Sequence, residues 1–213
     1  KNPDVLYIAG WAARYERPEI VDALAVIFDR LGLEWSALEN ECCGIELLEL
    51  GYTGEAREQA QRFAKSIEEI NPRSIISSCP HVCRALREQY AVLGIAFPPL
   101  PVLHTAEFLA EEVEAGRISL AALNIDAAGY HDPCHLGRKL GIFDEPRKLI
   151  RSATGSVPLE LFHNRESAEC CGAGSVMLVT EPELARKVAR RRMENVRQEG
   201  IKTLITACGN CKT

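Results

Sequence analysis

Apolar residues are arranged in two ways along this chain. The short runs DVLYIAG (residues 4–10), RSIISS (73–78), AAGYHD (127–132) and IKTLITA (201–207) are only a few residues long and read as strands inside a sheet. Longer, mostly polar stretches carry recurring apolar positions and read as helices: PEIVDALAVIFDRLG (18–32), TGEAREQAQRFAKSIEEI (53–70), DEPRKLIRSATG (144–155) and TEPELARKVARRRMENVRQEG (180–200). In the last of these, Leu184, Val188, Met193 and Val196 keep roughly to one face, which is predicted to pack inward. Thr180 and Glu183 form a capping-box pattern there, with Pro182 in the first turn. The Arg190-Arg191-Arg192 run reads as a solvated face, with docking of an acidic partner as the sharper alternative.

The elements come in the order strand, helix, loop, helix, strand, cysteine motif, and that order is written twice. Cys42-Cys43-Gly44 and Cys170-Cys171-Gly172 lie 128 residues apart, as do Pro18 and Pro146 near two helix starts. Short strands alternating with helices build parallel sheets. The predicted fold is therefore α/β: two similar Rossmann-like lobes with parallel sheets, related by a pseudo-twofold axis. The first repeat covers residues 1–100 and the second 125–213, with a connector at 101–124 in an apolar, proline-rich surround. Lys1 at the start, and Cys211 close to the end where a helix should follow, give the expectation of a domain cut from a longer chain.

Composition narrows the classes of function. A net charge of -5 gives no electrostatic reason to bind nucleic acid. There is no membrane-length apolar run and no signal peptide, so a cytoplasmic protein is expected, peripheral to a membrane only through a partner subunit. Nine cysteines are an odd number, and a chain of 213 residues can build a core without disulfides. Metal or redox chemistry in a reducing compartment fits better.

All nine fall into two sets. The second repeat reads Cys134, 35 residues, Cys170-Cys171, 36 residues, Cys208, two residues, Cys211; the first reads Cys42-Cys43, 35 residues, Cys79, three residues, Cys83. Cys208 ends a strand, and Cys134 follows the strand-like GYHD, so both can reach the carboxyl edge of a sheet, where open α/β folds form ligand sites. Gly172 and Gly174 let backbone N–H groups approach anionic sulfur. Structural zinc and an iron–sulfur cubane each take four ligands. Five cysteines leave one spare or serve a larger, less regular cluster.

This double pattern resembles the cysteine-rich CCG domain found in heterodisulfide reductases, and also in iron–sulfur subunits of lactate- and glycolate-oxidising enzymes. The resemblance covers essentially the whole chain. It implies a non-cubane [4Fe–4S] cluster on Cys134, Cys170, Cys171, Cys208 and Cys211, and an oxidoreductase component working on a disulfide/thiol or electron-carrier substrate. Cys134, Cys171 and Cys208 are the implied catalytic residues at the cluster. Electrons would come from partner subunits carrying ferredoxin-type clusters or flavin. Two readings compete with it: a zinc-stabilised interaction domain with no redox role, and a thiol–disulfide oxidoreductase using Cys208 and Cys211.

The first repeat departs from the family pattern. Trp11 stands where the opening cysteine belongs, with 30 residues between it and Cys42, and the closing pair is one residue too long in Cys79-Pro80-His81-Val82-Cys83. Cys42, Cys43, Cys79 and Cys83 are then an empty site, a four-ligand metal site with His81 as a substitute, or the source of a disulfide within CPHVC. The indole of Trp11 filling the vacated space suits the empty site. Around Cys134, His131 and His135 either satisfy loop backbone or relay a proton, and Asp132 with Pro133 shapes the turn. His104 and His163 read as structural, and Glu41 and Glu169 as holding the paired-cysteine loops.

Overall fold

A computed structural model of the protein describes residues 2–39, 41–174 and 176–212. The chain forms two compact units, residues 1–105 and 106–213. The first contains β1 (Val5–Ile8), α1 (Pro18–Arg30), β2 (Trp35–Ala37), α2 (Ile45–Glu49), α3 (Thr53–Ile70), β3 (Ser74–Ser77), α4 (Pro80–Arg84), α5 (Tyr90–Val92) and β4 (Val102–His104). Its strands are all parallel in the order β2-β1-β3-β4. Strand β1 is VLYI and buried throughout, as expected of a central parallel strand covered on both faces. The opening of the predicted connector is thus a sheet strand, β4.

The second unit repeats the plan. Helix α6 (Thr105–Glu114) leads into β5 (Ala128–His131), α7 (Asp144–Thr154), β6 (Leu159–Glu160), α8 (Met177–Thr180), α9 (Pro182–Gln198), β7 (Thr203–Thr206) and α10 (Gly209–Lys212). Its parallel sheet has the order β6-β5-β7, matching β2-β1-β3. Val5 pairs with Ser74 and Ile8 with Ser77; Ala128 pairs with Thr203 and His131 with Thr206. Registers this similar make the two α/β lobes comparable residue by residue.

Helices α3 and α9 occupy corresponding places. Helix α3 buries Ala56, Ala60, Phe63, Ala64 and Ile67, while α9 buries Ala185, Arg192 and Val196. Each is overlain by the glycine of its Cys-Cys-Gly step. A Cβ on Gly44 would lie 3.0 Å from the Ala56 carbonyl oxygen, and one on Gly172 only 2.5 Å from that of Ala185. Both glycines have positive φ, +79° and +89°.

Three expectations about α9 are corrected. Leu184 and Met193 are exposed, at 50% and 41%, because the helix turns its Ala185–Arg192–Val196 face inward to let Gly172 approach Ala185. Arg192 is only 3% exposed, so the arginine run is not one solvated face. No capping box forms: Glu181 is the N-cap, and the Thr180 hydroxyl donates to the Val176 carbonyl instead. Pro182 does begin the helix. Among the described residues, no helix is long and apolar enough to cross a membrane.

Candidate metal centre

The second lobe gathers its cysteines at the carboxyl ends of β5 and β7. Cys134 lies three residues past β5 and immediately precedes a π-helical turn, His135–Lys139. Cys208 follows β7, and Cys211 rises on α10. The Cys170-Cys171 loop is tied to α9 through Glu169, whose carboxylate accepts from Asn195 Nδ2 at 2.7 Å and from Arg191 at 2.8 Å. Glu41 is held the same way by the Ser66 hydroxyl at 2.6 Å. Arg138, on the turn after Cys134, donates to the Ala168 carbonyl and fastens that turn to the loop.

Four thiols form a line of contacts, Cys170 to Cys171 to Cys211 to Cys208. Hydrogen bonds from Cys170, then Cys211, draw the Cys171 thiol well below its ordinary value. Cys170 is raised mainly by donating to Cys171, and Cys211 by donating to Cys171 and Cys208. Cys208 is lowered, chiefly by Cys211. Cys134 adds a weaker electrostatic influence on Cys170 and lies 3.5 Å from His135 Nδ1. Backbone amides aim at the same sulfurs: Gly172 N–H donates to Cys170 Sγ at 3.3 Å, that of Ala173 to Cys171, and those of Asn210 and Cys211 to Cys208. Such amides stabilise thiolates and tune whatever they bind.

Behind Cys134 stands an ion-pair network that sequence reasoning missed. Asp132, buried, receives two bonds from Arg147, at 2.7 and 2.8 Å, and one from the Arg165 amide at 2.8 Å. Arg147 also reaches both Glu160 oxygens, at 2.6 and 2.7 Å, and lies 4.9 Å from the Tyr130 ring centroid. The turn that presents Cys134 is therefore fixed by charge as well as by Pro133. His131 is held not by loop backbone but by Arg192, whose Nε donates to Nδ1 at 3.2 Å. The only sequence signal for this pair was an arginine inside a helical run.

Three buried polar atoms of this lobe, Tyr130 Oη, Arg192 Nη1 and Thr206 Oγ1, have no partner within the described residues, and His131 Nε2 meets only the sulfur of Cys171. Each belongs to β5, β7 or α9, and each can donate. The first lobe shows the contrast, since Tyr7 Oη is 2.7 Å from Ser78 Oγ, a position taken by Ala207 in the second lobe. Clustered thiols, amides aimed at sulfur and unmatched donors fit an anionic, sulfur-rich metal group.

The first lobe is built differently. Trp11 occupies the structural position of Cys134, three residues past β1 and immediately before a π-helical turn, Ala12–Glu16. Its indole does not fill the vacated space. It is 63% exposed, and a cavity of about 340 Å³ remains, lined by Trp11, Tyr15, Cys42, Cys43, Cys79 and Val82 among others. Cys83 is fully buried and does not line it; the inserted residue puts Val82 in the place of Cys211. Cys42, Cys43 and Glu46 have ligand atoms within 4.8 Å of one another, and His81 Nδ1 is 3.9 Å from Cys79 Sγ. Cys43 draws the Cys42 thiol down to about 7. Among the described residues every cysteine is a free thiol, so CPHVC holds no disulfide here.

A family model for the CCG cysteine-rich domain matches residues 5–86 and again 128–213. The chain belongs to the CCG cysteine-rich domain family. Among relatives, it is 31% identical, over 98% of its length and 52% of the relative's, to one subunit of the dihydromethanophenazine:CoB–CoM heterodisulfide reductase from Methanosarcina mazei. It is 28% identical, over 97% of its length and 40% of the relative's, to one subunit of the fumarate reductase (CoM/CoB) from Methanothermobacter marburgensis. A probable iron–sulfur-binding oxidoreductase of Bacillus subtilis is 24% identical over 100% of this chain and 30% of its own length. This CCG chain therefore spans about half, or less, of the curated relatives it matches.

Proposed function

We propose that this chain is the iron–sulfur-carrying part of a heterodisulfide reductase-like oxidoreductase. Its second lobe would hold a non-cubane [4Fe–4S] cluster through Cys134, Cys170, Cys171, Cys208 and Cys211. The observation that carries this reading is the line of sulfur contacts from Cys170 through Cys171 and Cys211 to Cys208, with Cys134 acting on Cys170. Thiols this close cannot all ionise without a compensating cation. When bound, a cluster supplies one-electron transfer beside the sheet edge.

The chain's own residues do the rest. The amides of Gly172, Ala173, Asn210 and Cys211 hold three of the sulfurs, and the Asp132–Arg147 pair fixes the turn bearing Cys134. The substrate class suggested by the relatives is a disulfide/thiol pair or an electron carrier, with Cys134, Cys171 and Cys208 nearest the reaction. Reducing a disulfide takes two electrons and two protons, and the electrons would come from partner subunits bearing ferredoxin-type clusters or flavin. The names of the relatives, subunits of reductases, support that assignment. Attachment to a membrane would run through such a partner.

The test is anaerobic reconstitution with iron and sulfide, metal and labile-sulfide counting, and electron paramagnetic resonance with and without thiol substrate. The expected result is one cluster per chain, lost in Cys171→Ala and retained in Cys79→Ala. Zinc filling the site in place of iron, with no labile sulfide, would overturn the proposal.

A further inference from the structure

The two lobes supply an internal control for the second site. Residue by residue, His131 corresponds to Ile8 at the end of the central strand, and Arg192 to Phe63 in the covering helix. The lobe with the incomplete cysteine set has two apolar side chains there; the lobe with the complete set has a buried histidine and a buried arginine, each 3% exposed. Burying a guanidinium beneath a sheet edge is expensive, and Phe63 shows that the fold does not need it.

The hydrogen bonding explains the pair. Arg192 is held by the His163 carbonyl at 3.0 Å on Nη2, and its Nε donates to His131 Nδ1 at 3.2 Å. A guanidinium has only donors, so Nδ1 must present its lone pair. The ring is then neutral and its proton sits on Nε2. A ring nitrogen of His131, Cys171 Sγ and Cys211 Sγ all lie within 4.8 Å of one another. Nε2 is buried, meets no nitrogen or oxygen acceptor among the described residues, and faces the sulfur of Cys171. A buried donor needs an acceptor, and sulfur is the acceptor within its reach.

We infer that Arg192 is a positioning residue which locks His131 in its Nε2–H form, so that the imidazole donates a hydrogen bond to anionic sulfur of the group held by Cys171 and Cys211. This rests on the iron–sulfur reading above and deepens it. A hydrogen bond to thiolate or sulfide sulfur withdraws electron density and raises the reduction potential. The Arg192–His131 pair is thus a potential-setting device present in one lobe and absent from the other.

Two measurements test it on the whole chain. Nitrogen-15 spectra of the metal-free protein should show His131 as the Nε2–H tautomer, and Arg192→Met should release it to a mixture. In the iron- and sulfide-loaded chain, His131→Leu and Arg192→Met should lower the ratio of reduced to oxidised centre at fixed potential by about tenfold, a shift of about 59 mV for a one-electron couple. His131→Gln, which keeps a donor, should stay near wild type. Should Arg192→Met fail to fold, the double variant His131→Ile/Arg192→Phe copies the packing of the first lobe and should show the same shift. A loaded chain whose potential is unchanged in His131→Leu and in the double variant, or an Nδ1–H tautomer in the wild type, overturns the inference alone. A wild-type chain that takes up no iron and sulfide removes both the cluster reading and this one.

Discussion

Arg147→Met is the most informative perturbation of the framework behind the site. It removes both bonds to Asp132, at 2.7 and 2.8 Å, and leaves a carboxylate whose side chain is 2% exposed. Losing one partner of a buried pair costs about 3–5 kcal/mol. Asp132 keeps the bond from the Arg165 amide, which favours the lower end of that range. The Glu160 arm adds little, since that side chain is 37% exposed and such pairs contribute about 0–1 kcal/mol. A loss of about 3 kcal/mol lowers the melting temperature by roughly 6–12 °C in a chain of this size. Thermal denaturation followed by circular dichroism, paired with urea unfolding, measures it. Because Asp132 lies two residues before Cys134, metal uptake should fall as well. The double variant Asp132→Leu/Arg147→Met removes the stranded charge and should recover more than half of the loss. A single-variant cost under about 1 kcal/mol, or a double variant no better than the single, would refute the reasoning.

The remaining predictions bear on the two cysteine lobes and on pH. Gly172→Ala forces an L side chain into φ +89° and 2.5 Å from a carbonyl oxygen, so it should cost roughly 2–5 kcal/mol. Gly51→Ala, with the same φ and nothing within 4 Å, should cost only about 1–2 kcal/mol, and equal urea midpoints would contradict this. Cys83→Ala should leave the iron content of the reconstituted chain unchanged, whereas Cys208→Ala should lower it; metal analysis decides. Trp11→Cys/Val82→Cys restores both missing thiol positions around the first-lobe cavity and should raise the cluster count from one to two per chain, read by iron and sulfide assay. Burial depresses His104 to about 4 from an ordinary 6.5. Its neutral form is needed in the fold, so its contribution is complete above pH 6.5 and is lost as pH falls from there toward 4. The slope is at most about 1.4 kcal/mol per pH unit, and urea unfolding of His104→Leu should show a shallower acid decline than wild type.

The sequence alone determined the duplication, the parallel α/β plan and the inequality of the two cysteine sets. These follow from local period and spacing: four-residue apolar strands, helical stretches of one phase, and cysteines placed by distance along the chain. It also located Trp11 at the position of the opening cysteine, because the 30 residues between it and Cys42 are close to the spacing of the family pattern. What it could not decide was helix phase and long-range pairing. The apolar residues of α9 pointed to a face with Leu184 and Met193, yet Gly172 packs on Ala185 and rotates Arg192 inward. One inserted residue in CPHVC sends Cys83 into the core and brings Val82 to the cavity, a rotation invisible in a count of cysteines. The pairs that shape the second site, Asp132 with Arg147 and His131 with Arg192, join residues 15 and 61 positions apart. Only the packing of a helix against a sheet brings such groups together, and the charges of Asp132 and Arg147 are tolerated because each finds its counter-ion there.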